Sequence, residues 1–238
     1  MSKAEIRRIR SLGDKAGRQA EGVFVVEGEK LVGELLGSGF RVRELYRVGE
    51  NLSAAEMERI SFLRTPTPVL AVAEIPTAPA SPTSFEGLCL ALDGVQDPGN
   101  AGTILRLADW FGIREVYCSP ATADCWSPKV VQATMGAIFR VRVHYGPLER
   151  ALAGAAEAEI PIYGTFLEGE NIYGCNLSPN RGVVVMGNEG RGISPSIAAL
   201  ITKKLYIPPY PPSASGPTSE SLNVAMATAI ALSEFRRR

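Results

Sequence analysis

Helix-like and strand-like spacings of apolar residues take turns along this chain from one end to the other. A basic stretch from Lys3 to about Gln19 predicts a helix, and the apolar run Val23-Phe24-Val25-Val26 predicts a strand. A helix follows from Glu29 to about Leu36, stopped by Gly37 and Gly39. Next come a strand at 43–48, a helix at 54–62 and a strand at 68–72. This alternation predicts a small α/β unit over residues 1–80. Residues 75–84, IPTAPASPTS, carry three prolines and no hydrophobic period, and read as an interdomain linker.

Beyond the linker the alternation is plainer. Leu88-Cys89-Leu90-Ala91-Leu92 is an uninterrupted apolar strand of the kind that parallel sheets bury on both faces. Helices are expected at 101–111, 128–138, 147–158, 195–200 and 221–235. Strands are expected at 115–118, 140–144, 162–165, 182–186 and 204–207. Residues 85–238 therefore predict a second, parallel-sheet α/β domain. No internal repeat is present.

Composition narrows the classes without choosing among them. The chain has 238 residues, with 25 basic and 25 acidic side chains, so binding nucleic acid by bulk charge alone is disfavoured. The charge is unevenly placed, however. Lys3, Arg7, Arg8, Arg10, Lys15 and Arg18 face only Glu5 and Asp14 at the start, and the chain ends in three arginines. Such arms suit phosphate contacts at chosen places, although a solvated helix face and a charged tail explain them as well. Four cysteines without a CxxC pair predict buried, reduced thiols in a cytoplasmic protein and no metal site. No membrane span or secretion signal is expected.

In open parallel sheets, ligands bind at the carboxyl ends of strands, and three of the loops there are unusual. The first runs from Asp93 through Asn100, Gly102 and Arg106. Asn100 is placed to cap the helix, which buries Ile104, Leu107, Ala108 and Phe111. Arg106 lies about 200° round from Ile104, with Gly102 leaving bare backbone on its own side. An arginine near a helix N-terminus is a natural clamp for phosphate or alkoxide, but is also an ordinary surface residue.

The second loop, Gly187-Asn188-Glu189-Gly190-Arg191-Gly192-Ile193-Ser194, follows a valine-rich strand. Its glycines allow backbone to approach a ligand, and Glu189 could orient a polar group there; a plain glycine turn with a solvated carboxylate is the alternative. The spacing is neither GxGxxG nor GxxxxGK[ST], which excludes dinucleotide-binding and P-loop readings. The third segment runs from Ile207-Pro208 through a proline-rich stretch to Ser221-Leu222-Asn223-Val224 and an almost wholly apolar helix. Ser219 or Ser221 would cap that helix, and Asn223 reads as a buried amide in need of partners. The lone His144, at a strand end outside these loops, reads as a strand or surface histidine.

In order and spacing, these three segments resemble the signature motifs of the SpoU (TrmH-like) RNA 2′-O-ribose methyltransferases of the SPOUT superfamily. The likeness covers about residues 86–236, and the stretch from Phe24 to Val32 is similar to the small RNA-binding domain many members carry. One departure is the segment YPPSASGPTSE, longer and richer in proline than the family's usual passage between Ile-Pro and Ser-Leu-Asn.

The resemblance implies a C-terminal trefoil knot, S-adenosylmethionine as cofactor, structured RNA (ribosomal rather than transfer RNA) as partner, and a homodimer whose sites draw on both subunits. It places the adenosine against Gly187, Asn188, Ile207 and Leu222, with Thr165 and Phe166 nearby. It assigns catalysis to Arg106, supported by Asn100, Glu189, Ser221 and Asn223, and RNA contact to Arg7, Arg8, Arg10, Lys15 and Arg18. A guanidinium stays protonated, so Arg106 is expected to act as a cationic clamp rather than a base. A non-catalytic RNA-binding factor and a base-methylating SPOUT enzyme are the competing classes.

Overall fold

The computed structural model describes residues 1–77, 85–210 and 220–237. Residues 78–84 of the expected linker, 211–219 of the proline-rich stretch and the capping candidate Ser219 lie outside them. The chain begins α1 (Lys3–Ser11), α2 (Lys15–Glu21), β1 (Val23–Glu27), α3 (Glu29–Gly37), β2 (Val42–Arg47), α4 (Ala54–Ile60) and β3 (Val69–Glu74). It continues β4 (Leu88–Asp93), α5 (Pro98–Trp110), β5 (Glu115–Cys118), α6 (Pro128–Thr134), β6 (Arg142–Tyr145) and α7 (Leu148–Glu157). Last come β7 (Ile162–Asn171), β8 (Gly182–Gly187), α8 (Pro195–Ala198), β9 (Lys203–Tyr206) and α9 (Val224–Arg236).

Two compact units result, and the division does not follow the linker alone: Asp124–Arg140 belongs with Met1–Thr77. In this first unit, β1, β3 and β2 form an antiparallel sheet in that order. Every residue of β1 is buried, so both faces of that strand need cover. Ile6, Ile9, Leu12, Met57 and Ile60 pack with Val23 and Val25 on one face. On the other, Phe24 meets Phe40 and Trp126, and Phe40 meets Phe139 edge-on. The excursion is tied at both ends, by Arg18 to Asp124 at 2.5 Å and by Glu34 to Arg140 at 2.8 Å. A linear division at residue 80 misses this, because the cover for β1's second face comes from distant sequence.

The expected helix over 3–19 is two helices. Asp14 starts α2, and Gly17 lets it turn tightly, since a Cβ there would lie 2.1 Å from the Ser11 carbonyl oxygen. The helix expected at 128–138 stops at Thr134; Met135 and Gly136 take positive φ of 50° and 91° before a single 3₁₀ turn at Ala137–Phe139.

The second unit holds a six-stranded sheet in the order β6-β5-β4-β8-β7-β9, with every pairing parallel. The apolar runs of β4 and β8 sit at its centre, buried on both faces as their composition requires. β7 is longer than expected: past a register shift between Thr165 and Glu170 it pairs again with β9. Its exposed stretch Leu167–Glu170 has no apolar alternation to announce it. Among the described residues no helix is long and apolar enough to cross a membrane. All four cysteines are buried and unbonded to one another.

Candidate functional site

Asp93 and Gly187 are register partners at the carboxyl ends of the central strands, so the loops that follow them start side by side. The first loop enters α5 through Asp97, not Asn100. The Asp97 carboxylate accepts the Asn100 N–H at 2.8 Å, and Pro98 occupies the first turn, where no donor is needed. Asn100 is thereby inside the helix, with its side chain free for other partners.

Those partners join the three loops. The Asn100 Nδ2 donates to Glu189 Oε1 at 3.1 Å, and Asn100 Oδ1 accepts from Asn223 Nδ2 at 2.9 Å. The Oδ1 of Asn223 in turn accepts from the N–H groups of Ala225 and Met226, at 2.9 and 3.3 Å, and so caps α9. The direction of this chain is forced. An ionised carboxylate only accepts, so Asn100 must present its NH₂ to Glu189; the helix N-terminus only donates, so Asn223 must present its oxygen there. The two amides then meet in the one orientation left. Asn223 is exposed, not the buried amide expected, and it supplies the cap expected of the serines.

Glu189 also accepts from the backbone N–H of Gln96 at 3.2 Å and of Asp97 at 3.1 Å. Partial burial pushes its carboxyl up, but the bonds from Asn100, Asp97 and Gln96 outweigh this and hold it below the usual carboxylate range. The glycine turn around it is tight. A Cβ on Gly187 would lie 2.3 Å from the Gly192 carbonyl carbon, so only glycine lets the chain double back here. Asn188 and Gly192 exchange backbone bonds of 2.9 Å, and the Asn188 side chain donates to the Gly94 carbonyl at 2.7 Å. Asp93 accepts the Ser194 N–H at 2.7 Å, tying the end of the turn back to β4.

Arg106 is exposed and makes no hydrogen bond or ion pair among the described residues. The buried face of α5 is Ala101, Ile104, Leu105 and Ala108; Leu107 and Phe111, expected there, are only half-buried. Gly102 is itself buried, where bare backbone beside Arg106 was expected. Helix α9 packs against α5, which rotates the burial away from the sheet-facing stripe alone. Arg106 shares its outward side of α5 with Thr103 and Trp110, the last 84% exposed.

Of the other expected site residues, Ser221 is exposed and makes no hydrogen bond among the described residues. Gly187 ends β8 and Ile207 follows β9, while Thr165 lies within β7, where its first run of pairing with β9 stops; the Thr165 hydroxyl lies 3.7 Å from the Met186 sulfur. Phe166 is half-buried, with Lys204 over its ring at 5.1 Å. Leu222 is 50% exposed beside Asn223. His144 is buried in β6, 2.7 Å from Glu115 and stacked on Tyr117.

The basic start divides sharply. Arg18 is buried, donating to the Leu12 and Gly13 carbonyls as well as to Asp124, and cannot meet RNA. That expectation is corrected: its charge is consumed inside the first unit. Arg8 pairs with Glu21 and Glu44. Arg10 donates to the Ser61 carbonyl at 2.6 Å and lies over Phe62. Arg7 and Lys15 are exposed and unpaired among the described residues.

A profile of the SpoU rRNA Methylase family matches residues 87–233, and one of the MRM3-like substrate binding domain matches residues 3–74. The 23S rRNA (guanosine(2553)-2′-O)-methyltransferase RlmP of Bacillus subtilis is 28% identical over 246 residues, covering 98% of this chain and 96% of that protein. A structure from Porphyromonas gingivalis, described as of the TrmH family of RNA methyltransferases, superposes with a TM-score of 0.90 at 45% identity, covering 100% of this chain and 99% of the other. An AdoMet-bound rRNA methyltransferase from Sinorhizobium meliloti gives a TM-score of 0.86 at 28% identity, covering 99% and 95%.

Proposed function

The chain belongs to the SpoU rRNA methylase family, and from that premise we propose that it moves a methyl group from S-adenosylmethionine to a ribose 2′-hydroxyl of structured RNA. The observation that carries this reading is the hydrogen-bonded chain Glu189–Asn100–Asn223, which draws one polar residue from each of the three loops into a single directed arrangement. The donor set fits the cofactor. Adenosine needs apolar walls and main-chain hydrogen bonds, and Gly187 and Ile207 at two strand ends, Thr165 within β7 and the half-exposed Leu222 before α9 offer these without a charge. When bound, the cofactor supplies an electrophilic methyl on a sulfonium.

The protein's task is to align the ribose oxygen and to stabilise the charge that grows on it. Arg106, without a partner among the described residues, is the cationic clamp for that oxygen and a neighbouring phosphate. Glu189, kept ionised, and the two amides hold the site's geometry; Ser221, without a hydrogen bond among the described residues, is assigned to meet the ribose. Arg106 stands with the exposed Trp110 on one side of α5, and Leu222, just before α9, and Met226, in its first turn, are half exposed. We assign this apolar surface to a homodimer, through which Arg106 serves a site shared between subunits. The knot implied by the family likeness belongs to the same proposal.

Ribosomal RNA is the proposed substrate, supported by the substrate-binding profile over residues 3–74 and by the activity named for the Bacillus relative. Arg7 and Lys15 are the proposed phosphate contacts of the first unit.

Incubation with methyl-labelled S-adenosylmethionine and total cellular RNA, followed by digestion to nucleosides, tests the reading. A ribose-methylated nucleoside is expected. A base-methylated product or no incorporation overturns it. Arg106→Ala is expected to lose methylation while calorimetry shows cofactor binding kept; loss of binding instead would refute the clamp role.

A further inference from the structure

Behind the site lie two buried hydroxyls that the chemistry above does not use. Ser119 and Thr122 sit in the loop after β5 and are 8% and 5% exposed. Both oxygens face the backbone N–H of Gly94, Ser119 at 2.9 Å and Thr122 at 3.2 Å. Thr122 also faces the Leu92 carbonyl at 2.9 Å, and that acceptor takes its only proton. The 3.2 Å contact between the two hydroxyls must then be donated by Ser119. Each hydroxyl has one proton, and each proton has a defined destination.

Gly94 is therefore gripped from two sides. Its N–H is held by the two hydroxyls and its carbonyl by Asn188 at 2.7 Å. The peptide next along is held too, since the Ala123 N–H donates to the Val95 carbonyl at 2.9 Å. Gly94 has φ of 71°, a conformation that leaves the loop no side chain of its own to brace it. Immediately beyond Val95 come the two N–H groups that Gln96 and Asp97 point at Glu189. The loop that cradles the carboxylate is thus set from behind by the loop after β5.

The geometry points to Ser119 and Thr122 as positioning residues that aim the Gln96 and Asp97 N–H groups at Glu189. This inference rests on the proposed methyl transfer. A buried hydroxyl can also serve stability alone, and the two roles separate experimentally. Thr122→Val keeps the shape and removes every hydrogen bond of the hydroxyl; Thr122→Ser keeps those bonds; Ser119→Ala leaves the Gly94 N–H held only by the longer contact.

The test uses the full chain with methyl-labelled S-adenosylmethionine and total ribosomal RNA. Misplacement by about 1 Å costs on the order of 100-fold in rate, and a slackened loop transmits part of that. Thr122→Val is expected to lower kcat roughly tenfold, with the cofactor Kd within about threefold and Thr122→Ser within about twofold of wild type. The acid limb of the pH profile should also move upward, because Glu189 loses aligned donors. Wild-type kcat in Thr122→Val, or equal impairment in Thr122→Ser, overturns the inference. Should Thr122→Val fail to fold, Ser119→Ala decides: a fall of about two- to fivefold supports it and unchanged kcat overturns it. Inactive wild-type protein would instead refute the methyl-transfer reading itself.

Discussion

Asn223 offers the sharpest separation of stability from catalysis. Its oxygen caps α9 and its NH₂ holds Asn100, so substitutions can remove both roles or the second alone. Asn223→Ala loses both. An N-cap replaced by alanine costs about 1 kcal/mol, and an exposed side-chain hydrogen bond adds roughly 0.5–1.5 kcal/mol. At about 2–4 °C per kcal/mol for a chain of this size, Tm should fall by roughly 4–8 °C. Asn223→Ser keeps a good cap and loses only the donor, about 1 kcal/mol, so its Tm should fall by roughly 2–4 °C, half as far.

Asn223→Asp keeps the cap as well, but turns a carboxylate oxygen toward Asn100 Oδ1. Asn100 can answer that oxygen only by flipping, which would aim its own oxygen at Glu189. Either orientation leaves two acceptors facing each other. Methyl transfer should therefore fall by about 100-fold in Asn223→Asp while Tm falls by only about as much as in Asn223→Ser. Label incorporation and scanning calorimetry on the same preparations give both readouts. Near-wild-type turnover in Asn223→Asp would refute the claim that the directed amide chain organises the site. So would equal loss of Tm in the serine and alanine variants.

Arg106→Lys should recover little activity at neutral pH, because the clamp needs a planar donor fork; near-full turnover at high pH would favour a base role instead. Gly187→Ala must push a Cβ into the Gly192 backbone, so cofactor binding measured by calorimetry should be lost or fall more than tenfold. For Glu115, burial raises the carboxyl but hydrogen bonds from Arg142 and His144 outweigh it, leaving it below the ordinary 4.5. A depressed carboxyl stabilises the fold above its unfolded value and loses that contribution as pH falls through the folded one. Glu115→Gln should consequently flatten the acid side of the stability curve below about pH 4.5, and an unchanged curve would count against the pairing.

Much of the layout was legible in the chain. The runs at 88–92 and 182–186 are apolar without alternation, and strands of that kind have to be buried on both faces. The glycines around Glu189 marked a turn at a strand end, and the likeness of three loops to known motifs named the family. What could not be read were partners. Arg18 looks like any other cation of the basic start, and its burial depends on Asp124, 106 positions away. Asn100 looked like a cap because capping is a local rule, yet Asp97 satisfies that rule first. Removing residues 1–80, as the linear division invites, would uncover Trp126 and Phe139, which pack on Phe24 and Phe40.

By itself the sequence determined the alternation of strands and helices, the parallel central sheet, the tight turn at Gly187 and the chemical types available at the strand ends. Only the tertiary structure decided which charges face solvent, which unit owns Asp124–Arg140, and which way the amides of Asn100 and Asn223 point. Periodicity and composition are properties of neighbours along the chain. Hydrogen-bond direction and burial are set by groups that meet only when the chain has folded.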